Sequence, residues 1–169
     1  MKKIIVIDTS IFCVWLKLPG FETCGPTNDS WTFERVNEKI EQEILDNSTL
    51  VLPLATIIET GNHISQCLGD RFGLATAFCN ILIKSIDNEN PWAAFSEQSD
   101  LWDNDNVKKL TNDWPKLAAQ QVSIGDATIK DVADYYFESG WNVEILTGDG
   151  GLKSYEPLRP PTLVPRRRK

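Results

Sequence analysis

Four carboxylates stand beside apolar segments of this sequence, where a negative charge needs a partner. Asp8 follows Ile4–Ile7, a run of four branched aliphatic residues typical of a strand buried on both faces. Asp149 comes two residues after the apolar segment VEILT, and Asp126 lies near the start of SIGDATIKDVADYYFESG. Glu59 lies in the segment after TLVLPL. Because a charge at the edge of a core is costly unless it is paired, we interpret Asp8 as one member of an acidic cluster.

Clustered carboxylates repel one another, so the pKa of at least one of them is expected to be raised. A hard divalent cation such as Mg²⁺ or Mn²⁺ removes this repulsion, since both ions prefer oxygen ligands and keep several waters. Such a site can activate a water and steady phosphate oxygens. The sequence contains one histidine, His63, which excludes a ribonuclease mechanism based on two imidazoles. If the protein cuts a phosphodiester, metal ions must carry most of the acid–base work.

The elements that must position these carboxylates alternate between strands and helices. Strands are predicted at Lys3–Ile7, Thr49–Pro53 and Asn142–Leu146. Strands that alternate with helices indicate an α/β fold with a parallel sheet. Ligands of such folds bind outside the carboxyl ends of the strands. Asp8 and Asp149 are therefore expected at one edge of the sheet, and Asp126 and Glu59 can point at the same edge.

Helices are predicted where apolar residues recur at three- and four-residue spacing. The predicted segments are 33–44, 54–68, 71–86, 107–120 and 123–140. Ser30 is predicted to cap the first helix and Ser123 the last. Pro115 is predicted to kink the fourth helix or to start a new one there. Residues 87–106 are predicted to form an acidic loop with a short edge strand near Trp92–Phe95.

Length, composition and charge indicate one globular domain with an uneven charge distribution. The chain has 169 residues, of which 41% are hydrophobic. This is enough to form one hydrophobic core that needs no disulfide or metal ion to stabilise it. Residues 151–169 carry six basic side chains and one acidic one, a net charge of +5, so residues 1–150 carry −12 of the total −7. A body this acidic binds nucleic acid only through a local site, metal ions or the basic tail.

We predict a cytoplasmic protein without a membrane-spanning segment. No apolar run of the sequence approaches the roughly 20 residues that a membrane helix needs. The apolar residues after the first lysines are interrupted by Asp8 and Lys17, and no small-residue cleavage site follows them.

Four short motifs, in order along the chain, resemble those of the PIN-domain family. VIDTSIF resembles the first-strand Asp-Thr-Ser element of that family, and ATIIETGN its second-helix glutamate. SIGDATIKDVA resembles its Asp-Ala helix start, and VEILTGDGGL its strand followed by Thr-x-Asp. The resemblance implies an α/β fold, a three-layer α/β/α sandwich with a central, mostly parallel sheet in residues 1–155. A Pro-rich basic tail would follow in residues 156–169.

The resemblance also implies an activity and a set of site residues. The activity is that of an endoribonuclease that depends on Mg²⁺ or Mn²⁺ and cleaves single-stranded RNA with metal-activated water. The metal and catalytic residues would be Asp8, Glu59, Asp126 and Asp149. Ser10 and Thr147 would supply hydroxyls that orient the carboxylates or reach a phosphate.

The same resemblance bears on partners. Many small bacterial members of the family are toxins that an antitoxin neutralises, so RNA is the implied substrate and an antitoxin or other regulatory protein an implied partner. A homo-oligomer is also left open. This chain is longer than compact toxins of the family, mainly in residues 18–30 and 87–106, and these insertions weaken the toxin assignment more than the nuclease assignment.

Two other functions are alternatives to the nuclease. A phosphatase of the haloacid-dehalogenase type also begins with an apolar strand ending in Asp, but it needs a second Asp where Ser10 stands. A non-catalytic PIN-like module that binds RNA or a protein would keep the acids only as helix caps and turn residues. The four carboxylates together favour the enzyme.

Three further polar residues lie near the predicted site. His63 shares a helix face with Glu59, four residues before it, and is expected to be partly buried and hydrogen-bonded. Asp134 lies two turns after Asp126 and could reach the rim of the site, whereas Asp131 is expected to face solvent.

Overall fold

The computed structural model describes residues 3–158 and shows an α/β fold. Its strands are β1 (Lys3–Ile7), β2 (Thr23–Cys24), β3 (Trp31–Thr32), β4 (Thr49–Val51) and β5 (Asn142–Leu146). Its helices are α1 (Thr9–Trp15), α2 (Phe33–Leu45), α3 (Leu54–Gln66), α4 (Arg71–Ile86), α5 (Asn104–Ala118), α6 (Ile124–Glu138) and α7 (Gly150–Lys153). Short 3-10 helices span Thr27–Asp29 and Phe95–Trp102.

The main sheet has three parallel strands in the order β4-β1-β5. Ile5 of the central strand pairs with Leu50 on one side and with Glu144 on the other. The three predicted strands are confirmed, although β4 ends at Val51 rather than at Pro53. The small antiparallel pair β2–β3 was not predicted from the sequence, because two-residue strands leave no periodic pattern.

Both faces of the sheet are covered, as the four aliphatic residues of β1 require. Ile5 and Ile7 pack into a core formed with α1, α2, α3 and α4. Ile4 and Val6 pack into a second core, to which α6 contributes Ile129 and Val132 among others. None of Ile4–Ile7 is more than 1% exposed. Helices on both faces of a parallel sheet are compatible with a three-layer α/β/α arrangement.

Helix starts show which capping predictions were right. Ser123 caps α6, as predicted, and its hydroxyl accepts a hydrogen bond from the backbone N–H of Asp126. The prediction that Ser30 caps α2 is wrong, because the cap is Thr32, whose hydroxyl accepts from the N–H of Arg35. Trp31 and Thr32 pair with β2 before the helix begins, and this tertiary constraint moves the helix start past Ser30.

The acidic segment is more ordered than predicted. In place of a short edge strand, Trp92 forms only an isolated parallel bridge with Leu50, and a 3-10 helix spans Phe95–Trp102. Pro115 does not start a new helix, since it lies inside the continuous helix α5, and the alternative of a kink at Pro115 stays a prediction. None of the helices in residues 3–158 combines the length and the apolar character needed to cross a membrane.

The amino-terminal end of β1 is joined to its neighbours by an ion-pair network. Lys3 and Lys39 each contact both Glu43 and Glu144 at 2.6–3.0 Å. The network therefore links β1, α2 and β5. At the outer edge of β5, Glu156 accepts a hydrogen bond from the backbone N–H of Ile145. The predicted domain boundary after residue 155 stays a prediction, and residues 159–169 of the predicted tail lie outside the described residues.

Candidate functional site

Asp8 directly follows the central strand β1 and directly precedes helix α1, so it lies at the carboxyl edge of the sheet. Its side chain is the N-cap of α1 and accepts a hydrogen bond of 2.6 Å from the N–H of Thr9. Its other oxygen accepts from the hydroxyls of Ser10 and Thr147, both at 2.7 Å. Asp8 is only 6% exposed. Three donors thus hold a nearly buried carboxylate in one orientation, which offsets its burial.

The turn after β5 brings Asp149 to the same edge. Because β1 and β5 are neighbours, the N–H of Asp8 donates to the carbonyl of Leu146 at 3.0 Å. Thr147 then links two acids, since its hydroxyl donates to Asp8 and accepts from the N–H of Asp149 at 2.9 Å. The Asp149 carboxylate caps α7 by accepting from the N–H groups of Gly151 and Leu152.

Glu59 and Asp126 approach from two helices that pack on each other, α3 and α6. One oxygen of Glu59 accepts a hydrogen bond of 2.7 Å from the Thr9 hydroxyl. The other lies against Gly125, where a Cβ atom would come within 2.3 Å of it. Asp126 lies in the first turn of α6. The absence of a side chain at Gly125 therefore leaves room for Glu59 next to Asp126.

The pKa of Asp126 is affected by its burial and by the proximity of the other acids. Burial raises its pKa, and the negative charges of Asp8, Asp149 and Glu59 raise it further, against a hydrogen bond with Ser123 that lowers it. The raised pKa agrees with the expectation that crowding disfavours the ionised form of at least one carboxylate.

These side chains line one open cleft of about 400 Å³, a volume within the range of small-ligand sites. The lining residues are Asp8, Thr9, Ser10, Phe21, Gly25, Glu59, His63, Asp126, Gly148 and Asp149. All four predicted carboxylates and Ser10 are among them. Thr147 is buried and orients Asp8 without lining the cleft. Their catalytic roles stay predictions.

The structure places two neighbouring polar residues, His63 and Asp134, differently from the sequence-based expectation. His63 is exposed rather than partly buried, and its ring lies 4.7 Å from that of Phe21 between centroids. Asp134 does not reach the rim of this cleft but accepts a hydrogen bond from Lys130 at 2.6 Å. Asp131 and Asp134 line a separate cavity.

Sequence reasoning missed two groups that shape the cleft. The Thr9 hydroxyl donates a hydrogen bond to Glu59, and the position of Thr9 within the Asp-Thr-Ser motif was the sequence signal that could have identified it. Phe21 and Gly25 come from residues 18–30, which stood out in the sequence as an insertion, but this segment has no periodic pattern that would single out these two residues.

The cleft suits a hard divalent cation by its donor chemistry. Its carboxylates and hydroxyls offer oxygen ligands, which Mg²⁺ and Mn²⁺ prefer. A cation would relieve the repulsion from Asp8, Asp149 and Glu59, which adds to burial in raising the pKa of Asp126. Among residues 3–158, however, no group of three or more His, Cys, Asp or Glu side chains is arranged to hold a metal ion. Waters would therefore have to complete the coordination, as is common for Mg²⁺.

Comparison with known proteins adds no relative. No protein-family model, no curated protein and no solved structure matches this chain.

Proposed function

We propose that this chain is a Mg²⁺- or Mn²⁺-dependent endoribonuclease with a PIN-like α/β/α fold that cleaves single-stranded RNA. One observation supports it above all. Four carboxylates from four separate parts of the chain, Asp8, Glu59, Asp126 and Asp149, line one cleft at the carboxyl edge of a parallel sheet. A protein gains no stability by crowding acids, so the arrangement favours a positively charged ligand.

The residues of the cleft have separate roles in this proposal. Asp8 and Glu59 are held in place by hydroxyl donors, so they would present pre-oriented oxygens to the cation. Burial and the neighbouring acids raise the pKa of Asp126, and a bound cation would stabilise its ionised form. Asp149, whose carboxylate is fixed as the cap of α7, would be the fourth carboxylate near the cation. When bound, the metal supplies the activation of water and the stabilisation of phosphate oxygens.

We expect fragments with 5′-phosphate and 3′-hydroxyl ends. Attack by the ribose 2′-hydroxyl normally needs a general acid and a general base, and the chain contains a single imidazole, His63. In-line attack of water on phosphorus with the ribose 3′-oxygen as the leaving group breaks the P–O3′ bond, so the phosphate stays on the 5′ side of the downstream fragment. End-group analysis checks this, and 2′,3′-cyclic phosphates would contradict it.

The deciding experiment incubates the purified protein with a mixture of single-stranded RNAs, with and without Mn²⁺. We expect cleavage only with the metal, and a loss of about 100-fold or more in Asp8→Asn, in which the best-held oxygen is lost. Asp105→Asn, which changes an exposed carboxylate of α5, is the matched control and should cleave normally. Equal cleavage by Asp8→Asn and the control would refute the proposed site.

A non-catalytic PIN-like module remains the second candidate, because Asp8 and Asp149 already serve as helix caps. Mn²⁺ binding separates the two. A metal site stabilises the native state by mass action, by about 2.7 kcal/mol at a hundredfold excess over Kd. An unchanged melting temperature in millimolar Mn²⁺, together with no cleavage, would favour the module. An antitoxin-like regulator, self-association and a cytoplasmic location stay predictions.

A further inference from the structure

The cleft has an aromatic wall beside its acidic floor. Phe21 and His63 both line it, with ring centroids 4.7 Å apart and planes inclined by 58°. The two rings come from different parts of the chain. His63 lies on α3 one turn after Glu59, and Phe21 lies in the segment between α1 and β2. His63 is exposed and Phe21 is half-buried, so the wall is partly open to solvent.

The segment that carries Phe21 is anchored at both ends. On one side the buried Leu18 accepts a hydrogen bond from the N–H of Phe21 at 2.9 Å. On the other side Gly25 lies directly against Gly148, where a Cβ on Gly148 would come within 2.8 Å of the Gly25 nitrogen. Only residues without a side chain permit this approach. Phe21 is thereby held next to the turn that carries Asp149.

Because the cleft is acidic, it offers a nucleotide few favourable contacts apart from the two aromatic rings. Within residues 3–158, the lining of the cleft contains four carboxylates and no Lys or Arg. Phosphate contacts from basic side chains usually supply most of the affinity for nucleic acid, and the described lining of the cleft does not provide them. In single-strand binding the other large contribution is stacking of bases on aromatic rings, which tolerates any base. Phe21 and His63 are the aromatic rings of the lining.

We propose that Phe21 and His63 form an aromatic platform for one unpaired base, which stacks on the Phe21 ring and contacts the inclined His63 ring with its edge, next to the phosphate that the carboxylate site receives. This inference rests on the proposed function and identifies what selects unpaired RNA. A base within a duplex is stacked between its neighbours and cannot contact the platform. Phe21 and His63 are thus positioning residues, because they set where the sugar–phosphate lies without touching the reacting atoms.

The test measures binding separately from cleavage. The full chain carrying Asp126→Asn, which slows the reaction, is titrated in Mn²⁺ against a short fluorescein-labelled single-stranded RNA, and anisotropy reports Kd. Phe21→Leu keeps apolar volume but removes the ring, and should weaken binding about 5- to 100-fold. Phe21→Trp should restore it. Phe72→Leu, which changes an 84% exposed aromatic residue of α4, is the matched control and should bind like the parent.

Abasic probes show whether a base is the partner. When each nucleotide in turn lacks its base, one position should bind equally to the parent and to Phe21→Leu, since the interaction is already lost. Because Phe21 also packs against the core, melting curves of each variant accompany the titrations.

The outcomes separate the inference from the proposed function. Equal Kd values for the parent and Phe21→Leu, a difference that no abasic position removes, or no RNA binding at all would overturn the platform. If wild-type protein cleaves RNA while Kd is insensitive to Phe21, the platform fails and the nuclease stands. If no cleavage occurs but the abasic pattern appears, the nuclease fails and the platform stands.

Discussion

Glu43→Gln removes the central negative charge of the network that links β1, α2 and β5. The Glu43 side chain is 6% exposed, and one oxygen contacts the ammonium groups of Lys3 and Lys39, each at 2.6 Å. The other oxygen accepts a hydrogen bond of 2.5 Å from the Ser48 hydroxyl. Glutamine is nearly isosteric, so the change removes charge with little change in volume.

The magnitude follows from the pKa of Glu43. Burial alone would raise this pKa, but hydrogen bonds from Lys3, Lys39 and Ser48 outweigh burial and lower it from 4.5 to about 2. Each pKa unit corresponds to about 1.36 kcal/mol, so ionised Glu43 contributes about 3 kcal/mol to the free energy of unfolding. Since the folded-state pKa is depressed, this stability is present above pH 4.5 and is lost as the pH falls towards 2.

Urea unfolding at a series of pH values tests this expectation. At pH 7, Glu43→Gln should lose about 3 kcal/mol, or roughly 6–12 °C in Tm. The difference from wild type should shrink as the pH falls below 4.5, because the wild-type carboxylate takes up its proton. Glu38→Gln, an exposed position on the same helix, should change stability by less than about 0.5 kcal/mol. A loss below about 1 kcal/mol, or one independent of pH, would refute the reasoning.

Two further predictions concern the cleft. Asp126→Asn should raise the metal-free Tm, because burial and the negative charges of Asp8, Asp149 and Glu59 raise the pKa of Asp126, so that its ionised form destabilises the fold. The gain should vanish at acid pH, where wild-type Asp126 is also neutral, and thermal scans showing no gain at pH 7 would contradict this. Gly125→Ala should displace Glu59 and lower RNA cleavage about 100-fold. Full activity in that variant would count against a role for Glu59.

Local sequence signals determined most of the elements and the candidate acids. The aliphatic run of β1, buried on both faces, predicted a central strand, and Asp8 stood out because a charge follows it directly. Helix α4 was predicted at its observed bounds, and α6 with its Ser123 cap, because apolar periodicity and capping depend on residues a few positions apart. The rule that parallel strands bind ligands at their carboxyl ends then predicted where the acids meet.

Other features depended on residues far apart in the chain, which no local pattern encodes. Pairing of β3 with β2 moved the start of α2 from Ser30 to Thr32, and packing around residues 95–102 replaced a predicted loop with a 3-10 helix.

The cleft shows the same division between local pattern and tertiary contact. The sequence by itself supplied the four acids, whereas only the tertiary structure decided what surrounds them. Thr147 reaches Asp8 across 139 positions of sequence, and Phe21 and Gly25 line the cleft from a segment that lies against Gly148. Such contacts form only when the strand order β4-β1-β5 and the packing of two cores bring the segments together. They follow from the free energy of the whole fold rather than from the preference of any one segment.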